Sequence, residues 1–93
     1  LIGVPPAAAR IAGAIQALLA QRADDASICP SEVARAIGGA HWRALMPEVR
    51  RIAGQLAVEG VVVLTQGDSV LDPEVPPVGA IRLRRGTRWR GQA

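Results

Sequence analysis

The chain contains no phenylalanine, no tyrosine and no lysine, and it has one cysteine and one histidine. Each absence removes a class of explanation. A lone Cys29 can form no internal disulfide and suits a reducing compartment. Cys29 and His41 together supply two of the roughly four ligands that a structural zinc requires, so no metal is expected. Nucleophilic catalysis needs a Ser, Cys or Thr beside a base that a third group orients. With one histidine, and carboxylates spread singly apart from Asp24-Asp25, the chain offers no such set and is not expected to be an enzyme. Gly38-Gly39 closes a helical pattern rather than opening a phosphate loop after a strand, so no cofactor is implied. Long apolar runs are missing as well: nothing reaches the length of a membrane span. The opening Leu1-Ile2-Gly3-Val4-Pro5-Pro6 lacks a basic start and a cleavage pattern. A cytoplasmic protein with no membrane partner is expected.

What remains is an aliphatic, arginine-rich chain. Its 93 residues suit one domain, 49% of them are apolar, and Trp42 and Trp89 are the only aromatics. The net charge is +3, with arginine supplying every basic residue. The isoelectric point near 11.0 invites a nucleic-acid reading but is inflated by the missing Tyr and Lys.

Periodicity organises the chain. Ile11, Ile15, Leu18 and Leu19 form one apolar stripe, predicting a first helix over residues 6–22 with Pro6 in its first turn. After a short extended Ser27-Ile28-Cys29, Pro30 begins a second helix that ends at Gly38-Gly39, with Glu32 placed to reach back to the cap. Val33, Ala36 and Ile37 share its inner face. A third helix is expected over residues 47–59, carried by Val49, Ile52, Ala53 and Leu56. Residues 42–46 are then a leading turn, because Pro47 cannot donate into a continuous helix. Residues 61–65 are β-branched and strand-like, Gly67-Asp68-Ser69 is turn material, and residues 72–79 are a proline-rich loop. Residues 80–85 read as a second strand, with Ile81 and Leu83 inward and Arg82 and Arg84 outward.

This order gives an α+β, mainly α fold, a winged helix-turn-helix of three helices plus a short β-hairpin wing. Residues 1–5 form an N-terminal arm, 6–85 the domain and 86–93 a basic, flexible tail. Three motifs sharpen the reading: Ile28-Cys29-Pro30-Ser31-Glu32-Val33-Ala34-Arg35, Trp42-Arg43-Ala44-Leu45-Met46-Pro47 and Ile81-Arg82-Leu83-Arg84-Arg85. They resemble a family of small bacterial winged-helix domains of unknown function. That resemblance, over residues 11–85, implies the fold and a bacterial cytoplasmic setting, and it carries over no catalytic residue or ligand.

DNA is the natural partner of such a fold, bound through the third helix, and is preferred to RNA. The stripe leaves Arg43, Pro47, Arg51, Gly54 and Val58 facing out, with Arg50 and Gln55 flanking. Arg43, Arg50, Arg51, Gly54 and Gln55 are therefore the candidate contacts, with Arg88 and Arg90 joining them if the tail reaches the phosphates. Gly54 would permit close backbone approach. Against this, Arg51 can pair with Glu48, and Asp68, Asp72 and Glu74 make the wing loop acidic. The alternative is a protein-interaction or dimerisation module that keeps the shape, using Val58 and residues 1–4. Cys29 is expected to pack as a small hydrophobe, His41 to sit in a turn, and Trp42 to cover the core between the second and third helices.

Overall fold

A computed structural model describes residues 7–90. The first helix, α1 (Ala7–Ala20), buries Ile11, Ile15 and Leu19 along one face, with Leu18 at the edge of the core. It stops two residues short of the expected end. Its last turn tightens as the Gln21 N–H donates to the Leu18 carbonyl and the Arg22 N–H to the Leu19 carbonyl.

A two-residue strand, β1 (Ser27–Ile28), leads into α2 (Pro30–Gly38). Cys29 caps this helix in an extended conformation and Pro30 occupies its first turn. The Glu32 carboxylate accepts the Cys29 N–H at 2.7 Å, closing the reach-back arm of a capping box. Helix α2 buries Val33 and Ala34, whereas Ala36, expected on the inner face, is exposed. The Cys29 N–H, followed by Arg22, holds the Glu32 carboxyl below its ordinary value of 4.5. A depressed value means stabilisation that is present above pH 4.5 and lost as the pH falls through the folded-state value. Glu32→Gln is therefore expected to cost about 0.5–1 kcal/mol at pH 7. The gap between the two melting curves should close on acidification, as circular dichroism at pH 7 and pH 3 would register; a gap that widens in acid would refute the capping role.

A 3-10 turn (Gly39–His41) connects α2 to α3 (Trp42–Val58). This corrects the expected start at Pro47: the helix runs through that proline. One intrahelical hydrogen bond is lost at Pro47, but Trp42, Leu45 and Met46 on the leading turn pack against the core. Their burial outweighs the missing bond. The expected stripe Val49, Ile52, Ala53 and Leu56 is buried. Three α-helices and a 3-10 turn thus stand where three helices were expected.

The chain leaves α3 through Gly60, whose φ of +83° favours glycine. It then forms β2 (Val62–Gln66), β3 (Ser69–Val70) and β4 (Arg82–Arg85). The sheet is antiparallel with order β1-β4-β2-β3. Val62 faces Arg85 and Leu64 faces Leu83, so the expected pairing of the two main strands holds, but the sheet has four strands rather than a two-stranded hairpin. Two short pairings that hydrophobic runs do not signal make the difference. β1 adds to the free edge of β4, with Ile28 opposite Leu83, and β3 folds back on β2 across the Gly67-Asp68 turn. Alternation along β4 buries Leu83 and exposes Arg82 and Arg84. The architecture is α+β and mainly helical, and every buried hydrophobic residue in its core is aliphatic.

Residues 86–90, the described part of the expected tail, fold back against the domain. The Gly86 N–H donates to the Val61 carbonyl and the Arg88 N–H to the Gly60 carbonyl, each at 2.9 Å. Trp89 packs against the core, and the Arg85 guanidinium lies 5.1 Å from the Trp89 ring centre. An apolar anchor and two backbone bonds offset the entropy of ordering the segment. The arm over residues 1–5 and residues 91–93 lie outside the described residues. Among the described residues, no helix is long and apolar enough to cross a membrane.

Candidate functional site

Arginine chemistry decides the site, because a guanidinium held by a carboxylate or by two short hydrogen bonds is less free to serve a polyanion than one with a single long bond or none. Arg50, on the flank of α3, donates to the Pro77 carbonyl at 2.9 Å and to the Gly79 carbonyl at 3.0 Å. From β2, the Gln66 amide donates to the Val78 and Ala80 carbonyls. The proline-rich loop is thereby fastened over the outer face of α3 from both sides. Arg51 meets Glu48 in a two-bond pair at 2.7 and 2.6 Å, the pairing anticipated one helical turn apart. This bond holds the Glu48 carboxyl below its ordinary value and raises that of Arg51. Gly54 and Gln55, with Arg50 and Arg51, line a groove of about 430 Å³ between α3 and the loop.

Arg43 has a different setting. It lies on the first turn of α3 with its guanidinium 4.5 Å from the centre of the Trp42 ring, and Arg35 of α2 lies 4.5 Å from the same centre. Arg10 of α1 reaches the Ile37 carbonyl near the end of α2 at 3.4 Å. Three helices thus bring three arginines to the α2–α3 turn. None of the three has a carboxylate partner among the described residues. The chain carries no Asp or Glu before Asp24 and none between Glu32 and Glu48. Trp42, half-buried against the core as expected, is also the platform on which both guanidiniums stack.

Arg88 and Arg90 sit elsewhere again, in a second recess with Gln16, Leu56, Glu59 and Val61. The Arg88 stem covers Gly60 at the exit of α3. Fifteen residues of α3 follow Arg43 before that exit, a rise of about 22 Å. The seven expected contacts therefore occupy three places: Arg43 at the basic end; Arg50, Arg51, Gly54 and Gln55 in the groove; Arg88 and Arg90 at the far end. Arg10 and Arg35 were missed. The acid-free stretches around them were the available signal, but only the helix packing joins them to Arg43.

Cys29 is half-buried, and its Sγ accepts a hydrogen bond from the Ser31 hydroxyl at 3.1 Å. His41 is exposed in the 3-10 turn. Among the described residues, no three His, Cys, Asp or Glu side chains converge as metal ligands would.

A protein-family model matches residues 8–86, and its description reads "Protein of unknown function (DUF3253)". The match covers most of the chain, which therefore belongs to this family. No curated protein matches it.

Proposed function

We propose that this DUF3253 member is a non-enzymatic winged-helix domain of the bacterial cytoplasm that binds nucleic acid, DNA before RNA, through the α2–α3 turn. The order helix, strand, helix, turn, helix, sheet supports the winged-helix reading, as does β4 pairing with both β1 and β2. In helix-turn-helix domains the N-terminal residues of the second helix enter the major groove while the first crosses the backbone. We assign those two roles to Arg43, on the first turn of α3, and Arg35, in the last turn of α2.

The observation that carries the proposal is the Trp42 ring with Arg35 and Arg43 stacked on it, neither paired with a carboxylate among the described residues. Stacking orients a guanidinium while leaving its N–H edge free for phosphate or guanine. Arg50 and Arg51 drop out as leading contacts, because the loop carbonyls and Glu48 already engage them.

Fluorescence anisotropy with a labelled duplex at several salt concentrations tests this. Three phosphate contacts, from Arg10, Arg35 and Arg43, give a log–log salt slope of about −2.7. Non-specific affinity at physiological salt falls in the micromolar range or weaker. Substituting both Arg35 and Arg43 by Ala is expected to bring the slope to about −0.9, whereas Arg51→Ala leaves it unchanged. Absence of binding at low salt, or a double variant that binds like the parent, overturns the proposal.

A further inference from the structure

We infer that the groove between α3 and the proline-rich loop receives an aromatic side chain of a partner protein, one followed by a basic residue. The site is distinct from the arginine cluster at Trp42.

The groove is pre-formed. Arg50 and Gln66 bond the carbonyls of four consecutive residues, Pro77, Val78, Gly79 and Ala80, so the end of the loop that carries the lining residue Pro77 is held in place before anything enters. About 430 Å³ lies within the range of pockets that hold small organic groups. Pro47, Gly54, Val58, Pro73, Pro76 and Pro77 form its apolar lining. Proline rings have little side-chain entropy to lose, so they enclose a flat ring at small ordering cost.

Gly54 supplies an independent sign. A glycine inside a helix costs about 1 kcal/mol against alanine. Here a Cβ would meet only the Pro73 carbonyl oxygen at 3.8 Å, an ordinary contact. The fold does not need the glycine, whereas an occupant of the groove gains its space.

Charge selects the kind of occupant. Arg51 is neutralised by Glu48, and Arg50 is engaged by carbonyls. Glu74 stands exposed on the rim beside Asp72, and neither has a cationic partner among the described residues. This edge repels nucleic acid and suits a lysine or arginine. A second copy of the chain offers no free aromatic among its described residues, since Trp42 and Trp89 both pack against its core.

The test is a ¹⁵N–¹H NMR titration of the whole chain with N-acetyl-Trp-Arg-amide, compared with the Leu-Arg and Trp-Glu analogues. Shifts are expected at the Gly54, Gln55, Val58 and Glu74 amides, with Trp-Arg binding at least five-fold tighter than either analogue. Gly54→Leu, which fills the groove, and Val58→Asp, which charges its wall, should each weaken binding at least ten-fold. Either variant should leave duplex binding unchanged, so failure here is separate from failure of the nucleic-acid proposal. Equal binding of Leu-Arg, shifts confined to other residues, or full binding by both variants overturns the inference. So does self-association of the parent chain that both variants abolish, which would assign the groove to a second copy.

Discussion

Gly86→Ala is expected to destabilise the domain by about 3 kcal/mol or more, lowering its Tm by roughly 12–24 °C. A Cβ at this position would fall on the Gly60 carbonyl oxygen and come within 3.0 Å of the Gly60 carbonyl carbon and 3.1 Å of that of Val61. These are backbone atoms, so no flexible side chain can swing aside. They also belong to the junction where α3 passes into β2. The Gly86 N–H donates to the Val61 carbonyl and the Arg88 N–H to the Gly60 carbonyl, so the two strands cannot part without losing these bonds. Relief would require lifting β4 from the end of α3 and withdrawing Trp89 from the core. Gly13→Ala is the matching control: nothing lies within 4 Å of a Cβ there. That change should stabilise α1 by about 0.5–1 kcal/mol through helix propensity alone. Thermal and urea melts of the two variants measure both effects. A Gly86→Ala protein within about 0.5 kcal/mol of the parent would show that the close crossing does not exist.

Removing the Arg85 guanidinium is expected to cost about 2–4 kcal/mol. Its side chain is 19% exposed and gathers three separate segments. One nitrogen donates to the Leu19 and Arg22 carbonyls, each at 2.9 Å, adding a second bond to the Leu19 carbonyl, which already accepts the Arg22 N–H, and engaging the carbonyl of Arg22 just beyond α1. Another donates to Asp24 at 2.7 Å, and the guanidinium stacks on Trp89. Most of the cost comes from the carbonyls and the ring. Asp24 is 96% exposed, and an ion pair to so solvated a carboxylate contributes little. Arg85→Met preserves much of the volume while deleting every donor, so it isolates the hydrogen bonds from the packing. Arg85→Lys retains the charge but not the fork and should recover less than half of the loss, because one ammonium cannot reproduce the planar geometry. Urea denaturation followed by tryptophan fluorescence measures each variant. A lysine variant as stable as the parent would rule out the fork as the fastener of α1 to β4.

The two kinds of result differ in how far apart their causes lie along the chain. The stripes of α1 and α3 and the Pro30–Glu32 start of α2 were legible because their determinants lie within a few residues of one another. So was the alternation that turns Leu83 inward and Arg82 and Arg84 outward. The Glu48–Arg51 pair belongs with these. A period of 3.6 or 2, a cap or a one-turn ion pair is a local geometric fact. Pro47 shows the limit of such reasoning: the proline argued for a late helix start, and packing of Trp42, Leu45 and Met46 against distant residues set an earlier one.

What the eleven arginines do was decided almost wholly by tertiary structure. Arg50, a candidate nucleic-acid contact from its place on the helix, also fastens a loop twenty-seven residues away. Arg85 stood at the end of an expected strand, and its guanidinium bonds the end of a helix sixty-six residues back. Arg35 and Arg43 share one tryptophan because α2 and α3 fold together around a three-residue turn. An apolar residue has one favourable destination, out of water, so its spacing alone foretells where it goes. A guanidinium is satisfied equally by a carbonyl, a carboxylate, an aromatic face or solvent, and only the completed fold determines which of these comes within about 3–5 Å.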